Sequence, residues 1–559
     1  MADLSFDVVV LGGGLNGLIS AAYFAKYNNL SVGVFEMMPE LGGGQSSAAR
    51  PVPGFVGNPH AHLLVSVGAI WMADFKIWEK GLRLLWPENN GAAVWPDGTG
   101  IRMKMCCDWD KETGMPTLLP ELLEENIESL AKIDANDAKT LAGVYEKLDR
   151  SWLMALLLTL NNPPPPYPQL TAVEELYTDP NYPVDQKWQY MDPIQQLRDW
   201  GFQSPKFIAY LFRWLQMGAV WPDRPVHPEY LLLDLLLPLG VFGVGNYVGG
   251  THQFAHAFQR VLADYKAKTY TNCAGDKIIV ENGRAKGIKL TDGTEIEAKM
   301  AVVCNIEPRQ LINRLLRDFP ISDAIKGKVN NIRSDIANLF WGNICYHERP
   351  QYIAEDFAPG VGDSYVVILG DDDIEYIYKE YRYRCQHVKP GQWPPKLYFW
   401  ESSQSLFDPT VAPPGKHLSL VEEYGPPVSA LSEEEWVQLR REAGPRILEE
   451  WRKYAPNMTG DNIIGFEVDT PWDCERRDIH YEEGSWLAGV SPTPEHWGRN
   501  RPITELSQFQ VPGIENLFLC GQHTHPADSS RGTSGYVCYK VAANKLGLRK
   551  IWEEEGRLF

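Results

Sequence analysis

The chain has few of the features that are typical of secreted proteins, of proteins stabilised by a structural metal ion, or of membrane-spanning proteins. Its nine cysteines are scattered over 559 residues and form no C-x-x-C pair. That pattern argues against a disulfide scaffold and against a structural zinc site, so we predict no metal. The N-terminus "MADLSFDVVVLGGG" has no basic segment before an apolar one, which argues against a signal peptide and predicts a cytoplasmic protein.

Positive charge and long apolar runs are also scarce. The net charge is −19, which disfavours nucleic acid or an anionic membrane as an electrostatic partner. The longest apolar stretch, "YLLLDLLLPLGVFGVG" from Tyr230, contains Asp234 and Pro238 and is too short to span a bilayer. It predicts a buried helix. The wall of a substrate tunnel, or a surface that dips into lipid, is the alternative, so peripheral membrane contact stays open.

The first sixty residues carry a nucleotide-binding pattern. "DVVVLGGGLNGLISAAYFAKY" predicts a strand, a tight turn and a helix. Gly12 permits the turn, Gly14 lets the backbone approach a pyrophosphate, and Gly17 allows close contact between helix and strand. "LSVGVFE" predicts a second strand that ends in Glu36, 19 residues after Gly17. There the carboxylate can accept both hydroxyls of an unphosphorylated ribose.

A second glycine cluster follows the ribose acid in "MPELGGGQSS". A nicotinamide domain is expected to continue into a helix at this point, whereas a second flexible loop favours a longer dinucleotide that threads into the protein. We therefore predict FAD as the cofactor. The predicted contacts in this region are Gly12, Gly14, Leu15, Asn16, Gly17, Glu36, Met37, Gly43, Gly44 and Gln45.

The distribution of these patterns predicts an α/β fold with two domains. The first is a doubly wound, Rossmann-like FAD-binding domain, assembled from three chain segments at residues 1–63, 246–310 and 506–559. The second is an inserted α+β substrate-binding domain, formed by residues 64–245 and 311–505, which are rich in Trp, Tyr and Pro.

One long charged helix is predicted inside the second domain. The stretch "SEEEWVQLRREAGPRILEEW" begins with a capping box from Ser432 to Glu435. Its charges predict a solvated face. The Gly444-Pro445 pair predicts a break in this helix, because proline removes a backbone donor.

The stretch "CGQHTHPADSSRGTSG", residues 520–535, is the second candidate site. His523 and His525 project to opposite sides of an extended segment, so they are poorly placed to share a metal. No nucleophile-elbow sequence supports a catalytic triad. Because the segment follows a strand and opens a helix, we predict that it lines the flavin pocket. There the N–H groups of residues 532–535 would polarise the pyrimidine edge of the flavin.

Dehydrogenation also requires a base for the proton. His523 or His525 is the candidate, because histidine titrates near neutrality, and Asp528 would orient it. The alternative is that one or both histidines only pack beside the cofactor. Arg531 either binds a substrate oxygen or carboxylate or offsets Asp528. The further predicted cofactor contacts in this segment are Gly521, Gly532, Thr533 and Ser534.

Together these patterns resemble the carotenoid and retinoid oxidoreductase family, the phytoene desaturase-like flavoproteins. The motifs that carry the resemblance run from one end of the chain to the other: "DVVVLGGGLNGLISAAYFAKY", "FEMMPELGGG", "PGFVGNPHAHLL", "GGTHQFAHAF", "NGRAKGIKLTDGTEIEAKMAVVCNIEP", "TPWDCERR", Arg501-Pro502 and "PGIENLFLCGQHTHPADSSRGTSGYVCYKVA". The resemblance implies bound FAD and hydride transfer between a carbon of an apolar substrate and flavin N5. It also implies that residues 521–535 form the flavin bed.

The chain departs from the family pattern in ways that bear on the substrate. Residues 527–531 read ADSSR where such proteins often have a glycine-rich sequence, and Asn58 stands where related chains often carry Asp. His60 and His62 follow, and they either reach the substrate pocket or serve a structural role. A site this polar makes a smaller alicyclic, terpenoid or carbonyl-bearing substrate at least as plausible as a long carotenoid.

The leading prediction is an FAD-dependent dehydrogenase that introduces a C=C bond into a hydrophobic isoprenoid, terpenoid or alicyclic molecule. A flavin amine oxidase and a polyene saturase or isomerase are the alternatives within flavin chemistry. A flavin-binding partner subunit of a larger oxidoreductase is the alternative outside it. The expected partners are a hydrophobic small molecule and an electron acceptor, which is oxygen, a quinone or an electron-transfer protein. A homo- or hetero-oligomer remains open.

Overall fold

The structure is a computed structural model of the chain. It describes residues 3–65, 69–109, 116–148, 150–177, 179, 185–333, 338–486, 490–527 and 531–559. The strands are β1 (Leu4–Leu11), β2 (Val32–Phe35), β3 (Ala48–Ala49), β4 (Val56–Gly57), β5 (Leu64–Val65), β6 (Leu84–Leu85), β7 (Asn89–Val94), β8 (Gly100–Lys104), β9 (Cys107–Trp109), β10 (Pro116–Leu118), β11 (Val244–Tyr247), β12 (Lys268–Tyr270), β13 (Gly275–Glu281), β14 (Arg284–Leu290), β15 (Glu295–Cys304), β16 (Leu339–Tyr346), β17 (Val366–Leu369), β18 (Phe399–Ser402), β19 (His417–Tyr424), β20 (Ile463–Asp469) and β21 (Leu517–Leu519).

Helices cover much of the remaining chain. They are α1 (Leu15–Asn28), α2 (Trp71–Asp74), α3 (Pro120–Ala131), α4 (Ala135–Lys147), α5 (Arg150–Leu160), α6 (Ala172–Leu176), α7 (Pro193–Trp200), α8 (Pro205–Met217), α9 (Pro228–Leu235), α10 (Gln253–Asp264), α11 (Asp323–Asn330), α12 (Ile374–His387), α13 (Gln404–Phe407), α14 (Glu433–Trp451), α15 (Pro471–Arg477), α16 (Thr533–Leu546) and α17 (Ile551–Glu554). Among the residues that the structure describes, no helix is both long and apolar enough to cross a lipid bilayer.

The first sheet has the order β12-β2-β1-β15-β14-β13, and β21 pairs with β15 as well. The pairs β12/β2, β2/β1, β1/β15 and β15/β21 are parallel, whereas β13, β14 and β15 are antiparallel neighbours. β15 is long enough to pair with β14 near its start and with β21 near its end. The predicted α/β architecture with a doubly wound, Rossmann-like sheet is therefore confirmed.

Both faces of this sheet are covered, as a parallel sheet requires. The helices α1, α10 and α16 share one apolar core with β1, β2 and β15. The opposite face packs against a π-helical turn, Gln310–Leu315, and against α11. The strands consequently read as near-continuous apolar runs, such as "DVVVL" in β1.

A second sheet, with the order β20-β16-β19-β18-β17-β7-β8, stands beside the first. It is antiparallel except for the pair β17/β7. Its strands come from residues 89–104 and 339–469, and helices α4, α5, α8 and α9 share an apolar core with part of it. The apolar stretch from Tyr230 forms the buried helix α9 within that core.

The predicted break at Gly444-Pro445 is wrong, because α14 runs without interruption from Glu433 to Trp451. Residues before proline are normally pushed out of the helical region by a clash that involves their Cβ. Gly444 lacks that atom. Its position is also packed under the Phe466 ring, since a Cβ there would lie 2.2 Å from Phe466 Cε2. The predicted capping box at Ser432 is present.

A buried group of charges joins α8 and α12 to the second sheet. Arg384 forms ion pairs with Glu380 and with Glu423 of β19, and Arg213 Nη2 lies 3.1 Å from Glu380 Oε2. All four side chains are buried. Burial of unpaired charge is very costly, so each member depends on its partners.

We expect Arg384→Met to lower the free energy of unfolding by about 3–5 kcal/mol, because it leaves the buried carboxylate of Glu423 without its cation and Glu380 with Arg213 alone. Arg382→Met on the same helix is the matched control. Arg382 pairs with Asp223 at the surface, and we expect a loss of less than about 1 kcal/mol. Denaturant unfolding of the three proteins measures both values, and equal losses would contradict this account of the cluster.

Candidate active site

The first glycine-rich loop joins β1 to α1. Gly12 has a φ of +99°, which residues with a side chain rarely adopt. A Cβ on Gly17 would lie 2.2 Å from the carbonyl oxygen of Gly12, so no larger residue lets the helix approach the strand this closely. Gly14 precedes α1 and provides no capping side chain. A helix N-terminus of this kind suits an anion such as phosphate.

Glu36 follows β2 directly and lies beside the first loop. Its Oε2 accepts a hydrogen bond from the N–H of Gly13 at 2.7 Å, and its Oε1 accepts one from the N–H of Met38 at 2.8 Å. Burial raises the pKa of this carboxyl, and the backbone hydrogen bonds oppose that rise. An ionised carboxylate has about four acceptor positions, so ribose hydroxyls can still bind to it.

The second glycine loop lies directly against the first. The N–H of Gly42 donates to the carbonyl oxygen of Gly13 at 2.9 Å. A Cβ on Gly43 would lie 3.2 Å from the Cα of Gly14. Only backbone atoms therefore separate the two loops where they meet.

This cradle fits the dinucleotide part of FAD. Glycine backbones that no side chain screens suit a pyrophosphate, and the buried carboxylate of Glu36 suits a ribose. Gln45 adds a second indication. It is 2% exposed, and neither its Oε1 nor its Nε2 has a hydrogen-bond partner among the described residues. Buried polar atoms without partners are rare in proteins, and a bound ligand would satisfy this amide.

One cavity extends from the glycine loops to the second sheet. At the far end its wall is mainly apolar and aromatic, formed by Leu63, Val65, Trp214, Met217, Leu237, Val244, Trp341, Trp400 and Trp486. Cavities with such walls and a few convergent polar groups are typical binding sites for small apolar molecules. The apolar stretch from Tyr230 supplies part of this wall as well as a buried helix.

Three polar side chains interrupt the apolar wall together. Asp234 lies on α9, and its Oδ1 is 3.8 Å from Arg531 Nη2. The hydroxyl of Tyr230, one turn earlier, donates to the carbonyl oxygen of Gly218 at 3.2 Å. Burial raises the pKa of Asp234 to about 6, while the nearby Arg531 guanidinium favours its charged form.

His60 and His62 both belong to the cavity wall. His62 Nδ1 lies 3.0 Å from Glu422 Oε1, and its Nε2 lies 2.9 Å from Ser402 Oγ. His60 Nε2 lies 3.2 Å from Arg477 Nη1. Burial and the neighbouring guanidinium lower the pKa of His60 to about 3, so this imidazole is neutral at physiological pH.

His523 and His525 lie outside the wall of this cavity. The His523 ring is 6.1 Å from the His480 ring, and His525 Nε2 is 2.8 Å from the carbonyl oxygen of Thr159. Burial lowers the pKa of both, to about 4 for His525. Asp528 is outside the described residues. Across the described parts of the chain, no cluster of three or more His, Cys, Asp or Glu could hold a metal ion.

The start of α16 packs against α1 rather than on the cavity. The N–H of Gly535 donates to Asn16 Oδ1 at 3.0 Å, so this donor is already bound within the protein. Ser534 Oγ accepts from the N–H of Gly521 at 3.1 Å. Four predicted cofactor contacts of this region and one of the first loop are not in the cavity wall: Gly17, Gly521, Gly532, Thr533 and Ser534. The predicted residues that do form the wall are Gly12, Gly14, Leu15, Asn16, Glu36, Met37, Gly43, Gly44, Gln45, His60, His62 and Arg531.

A buried arginine fixes the segment that begins at Gly521. Arg501 Nη2 donates to the carbonyl oxygen of Gln522 at 2.7 Å, and its Nε donates to that of Thr524 at 3.2 Å. Its Nη1 donates to the carbonyl oxygens of Val490 and His496. The guanidinium therefore joins two stretches of backbone that belong to no common helix or sheet.

Sequence reasoning missed several wall residues that the second sheet and α9 provide. Trp341, Glu422 and Trp400 are directly opposite one another on β16, β19 and β18, so they form one row of the wall. Asp234 could have been found as the lone charge within an apolar run. Its contact with Arg531 could not, because the two residues are far apart in the sequence.

A family profile described as an NAD(P)-binding Rossmann-like domain matches residues 10–80. It covers the end of β1, α1, β2 and the second glycine loop. Among solved structures, an oxidoreductase from Methanosarcina mazei has a TM-score of 0.56 at 17% identity, with 96% of this chain and 99% of that chain covered. The protein therefore has the fold of Rossmann-like dinucleotide-binding oxidoreductases.

Curated relatives indicate more closely which class of oxidoreductase the chain resembles. A limonene dehydrogenase subunit from Castellaniella defragrans is 25% identical over 98% of this chain and 96% of its own length. A neurosporene-forming phytoene desaturase from Cereibacter sphaeroides is 25% identical over 57% of each chain. These relatives confirm the resemblance to oxidoreductases of the phytoene desaturase type.

We expect Glu36→Ala to weaken FAD binding roughly 10- to 100-fold, because hydrogen bonds to a charged group contribute about 1.5–3 kcal/mol. Titration of the apoprotein with FAD, followed by quenching of flavin fluorescence, measures the dissociation constant. Glu40→Ala is the matched control, since Glu40 is a largely exposed acid that follows in the same segment and pairs with His252. An unchanged constant in Glu36→Ala would show that the ribose lies elsewhere.

Proposed function

We propose that the protein is an FAD-dependent oxidoreductase that dehydrogenates a hydrophobic isoprenoid, terpenoid or alicyclic substrate and so introduces a C=C bond. The observation that carries this proposal is the single cavity that begins between two glycine loops and ends in an apolar, aromatic wall. One end of the cavity is suited to a dinucleotide and the other to a hydrocarbon. Because both ends belong to one cavity, the bound cofactor and the bound substrate would be in contact.

The residues of the chain have separate tasks in this proposal. The two glycine loops, Glu36 and Gln45 would hold FAD, which supplies a hydride acceptor when it is bound. Trp214, Met217 and Leu237 would bind the hydrocarbon and exclude water from it. Indole faces also stabilise positive charge, which develops at a carbon that loses a hydride.

The two ends of the cavity correspond to the two predicted domains. We propose that residues 1–63, 246–310 and 506–559 bind FAD and that residues 64–245 and 311–505 bind the substrate. All strands of the first sheet come from the former segments, and all strands of the second sheet come from the latter. The cavity wall draws residues from both groups.

The relatives support a terpenoid substrate class. One is named a limonene dehydrogenase subunit and another a phytoene desaturase, and limonene is the smaller of the two molecules. The pocket polarity supplied by Asp234, Arg531 and the His62–Glu422 pair makes a smaller alicyclic, terpenoid or carbonyl-bearing molecule at least as plausible as a long polyene.

A second candidate function is that of one flavin-binding subunit in a larger oxidoreductase. The observation that favours it is similarity along almost the whole chain to a protein that is itself named as one subunit of a dehydrogenase. In that arrangement another polypeptide contributes to turnover or receives the electrons. Oxygen or a quinone is the acceptor if the chain acts alone.

We expect anaerobic addition of limonene to bleach the flavin absorbance of the purified, FAD-loaded protein, because hydride transfer reduces the flavin. The panel also includes cyclic ketones, carotenoid precursors and amines. Bleaching by amines alone would replace the proposal with an amine oxidase. Recovery of the absorbance of chemically reduced flavin when an unsaturated compound is added would favour a saturase. Bleaching that needs cell extract would favour a subunit that requires its partner. A protein that binds no flavin would refute the proposal outright.

A further inference from the structure

Desaturation removes two hydrogens, and the proposed function accounts for only one of them. The first leaves with its electron pair as a hydride to the bound flavin. The second must leave as a proton, so that the electrons of its C–H bond form the π bond. A group in the cavity wall has to accept this proton, and carboxylates and histidines are the usual acceptors.

Four carboxylates belong to the described part of the cavity wall: Glu36, Asp234, Glu422 and Asp478. Glu36 accepts two backbone hydrogen bonds at the dinucleotide end. Asp478 accepts the N–H of His480. Only about 1% of the Glu422 side chain is accessible, and its Oε1 lies 3.0 Å from His62 Nδ1.

Asp234 differs from these three in its surroundings. It lies at the apolar end of the cavity, where the neighbouring wall residues Met217 and Leu237 would contact a hydrocarbon. About 10% of its side chain remains accessible, although the helix around it is otherwise buried. Gly218 keeps this place open, because a Cβ there would lie 2.3 Å from Asp234 Oδ2.

The histidines of the wall are less suited to the task. Burial lowers the pKa of His60 to about 3 and also lowers that of His480, and a base with a lowered pKa accepts a proton less readily. His62 lies between Glu422 and Ser402, with its Nδ1 3.0 Å from Glu422 Oε1 and its Nε2 2.9 Å from Ser402 Oγ. His523 and His525 are not in the wall.

We propose that Asp234 is the catalytic base that takes the substrate proton, with Arg531 as its positioning residue. The Asp234 carboxylate becomes a carboxylic acid as the C–H bond breaks and the C=C bond forms. The substrate loses two electrons and the flavin gains them; the proton returns to solvent before the next turnover. This inference rests on the proposed function.

The charges around Asp234 favour this role. Arg531, from the segment before α16, holds a guanidinium 3.8 Å from Oδ1 and supports the ionised form. Since burial opposes this effect, the pKa of Asp234 lies at about 6. A base is most effective when its pKa is near the working pH.

The test compares wild type, Asp234→Asn and Glu229→Gln, each loaded with FAD and mixed with limonene under anaerobic conditions. Glu229 is a buried acid on the same helix that bonds to Thr171 and Trp497 and is absent from the cavity wall. We expect Asp234→Asn to bleach at least roughly 100-fold more slowly, with limonene affinity within about threefold of wild type, as expected when an interaction is lost only in the transition state. Glu229→Gln should bleach like wild type.

The pH dependence of the bleaching rate distinguishes a catalytic base from a residue that only stabilises the fold. The wild-type bleaching rate should rise as pH increases through about 6, because only ionised Asp234 accepts a proton. Arg531→Gln removes the positive charge that favours the ionised form of Asp234, so the midpoint should move to higher pH. This variant also serves if Asp234→Asn does not fold.

The outcomes separate the two proposals. If no compound of the panel bleaches wild type, the proposed function fails and this inference fails with it. If wild type is bleached and Asp234→Asn is bleached equally fast, the function stands and Asp234 is not the base. An unshifted pH midpoint in Arg531→Gln would also overturn the assignment.

Discussion

Two loops of bare backbone must touch for the rest of this site to exist. The hydrogen bond from Gly42 to Gly13 and the contact between Gly43 and Gly14 hold the N-terminal strand, its helix and the following loop in one arrangement. A Cβ on Gly13 would lie 2.6 Å from Leu41 Cδ2, and a Cβ on Gly43 would lie 3.2 Å from the Cα of Gly14, so a side chain at either position would displace the facing loop. Because the cavity starts between them, its position relative to both sheets is set by this contact.

The aromatic end of the cavity is formed by the second sheet. The position of this sheet relative to the first depends on contacts between segments that are distant in the sequence. Arg501 supplies one link, because it binds carbonyl oxygens in the segment after β21 and in the preceding loops. The Asp234–Arg531 pair supplies another, since it joins α9 to the segment before α16. Polar contacts inside an apolar core are costly unless they are paired, so they also specify which surfaces meet.

The local parts of this architecture could be predicted from sequence. Gly12, Gly14, Gly17 and Glu36 lie within one strand–helix–strand unit, and their roles follow from short-range geometry. The prediction at Gly444-Pro445 is wrong because the rule for proline assumes a Cβ on the preceding residue. The positions of the His523 and His525 side chains depend on packing between segments that are distant in the sequence. The same is true of the contact between Asp234 and Arg531, so neither could be predicted from residue spacing.

The shared strand β15 has a consequence for how the protein is made. Its first half pairs with β14, which is adjacent in sequence, but its second half pairs with β21, and residues 305–516 lie between them. During synthesis, the second half of β15 has no β21 partner until nearly the whole chain has emerged from the ribosome. Unpaired strand edges invite association with other chains. The newly synthesised protein therefore passes through a stage with an exposed sheet edge, which chaperones would have to protect until synthesis is almost complete.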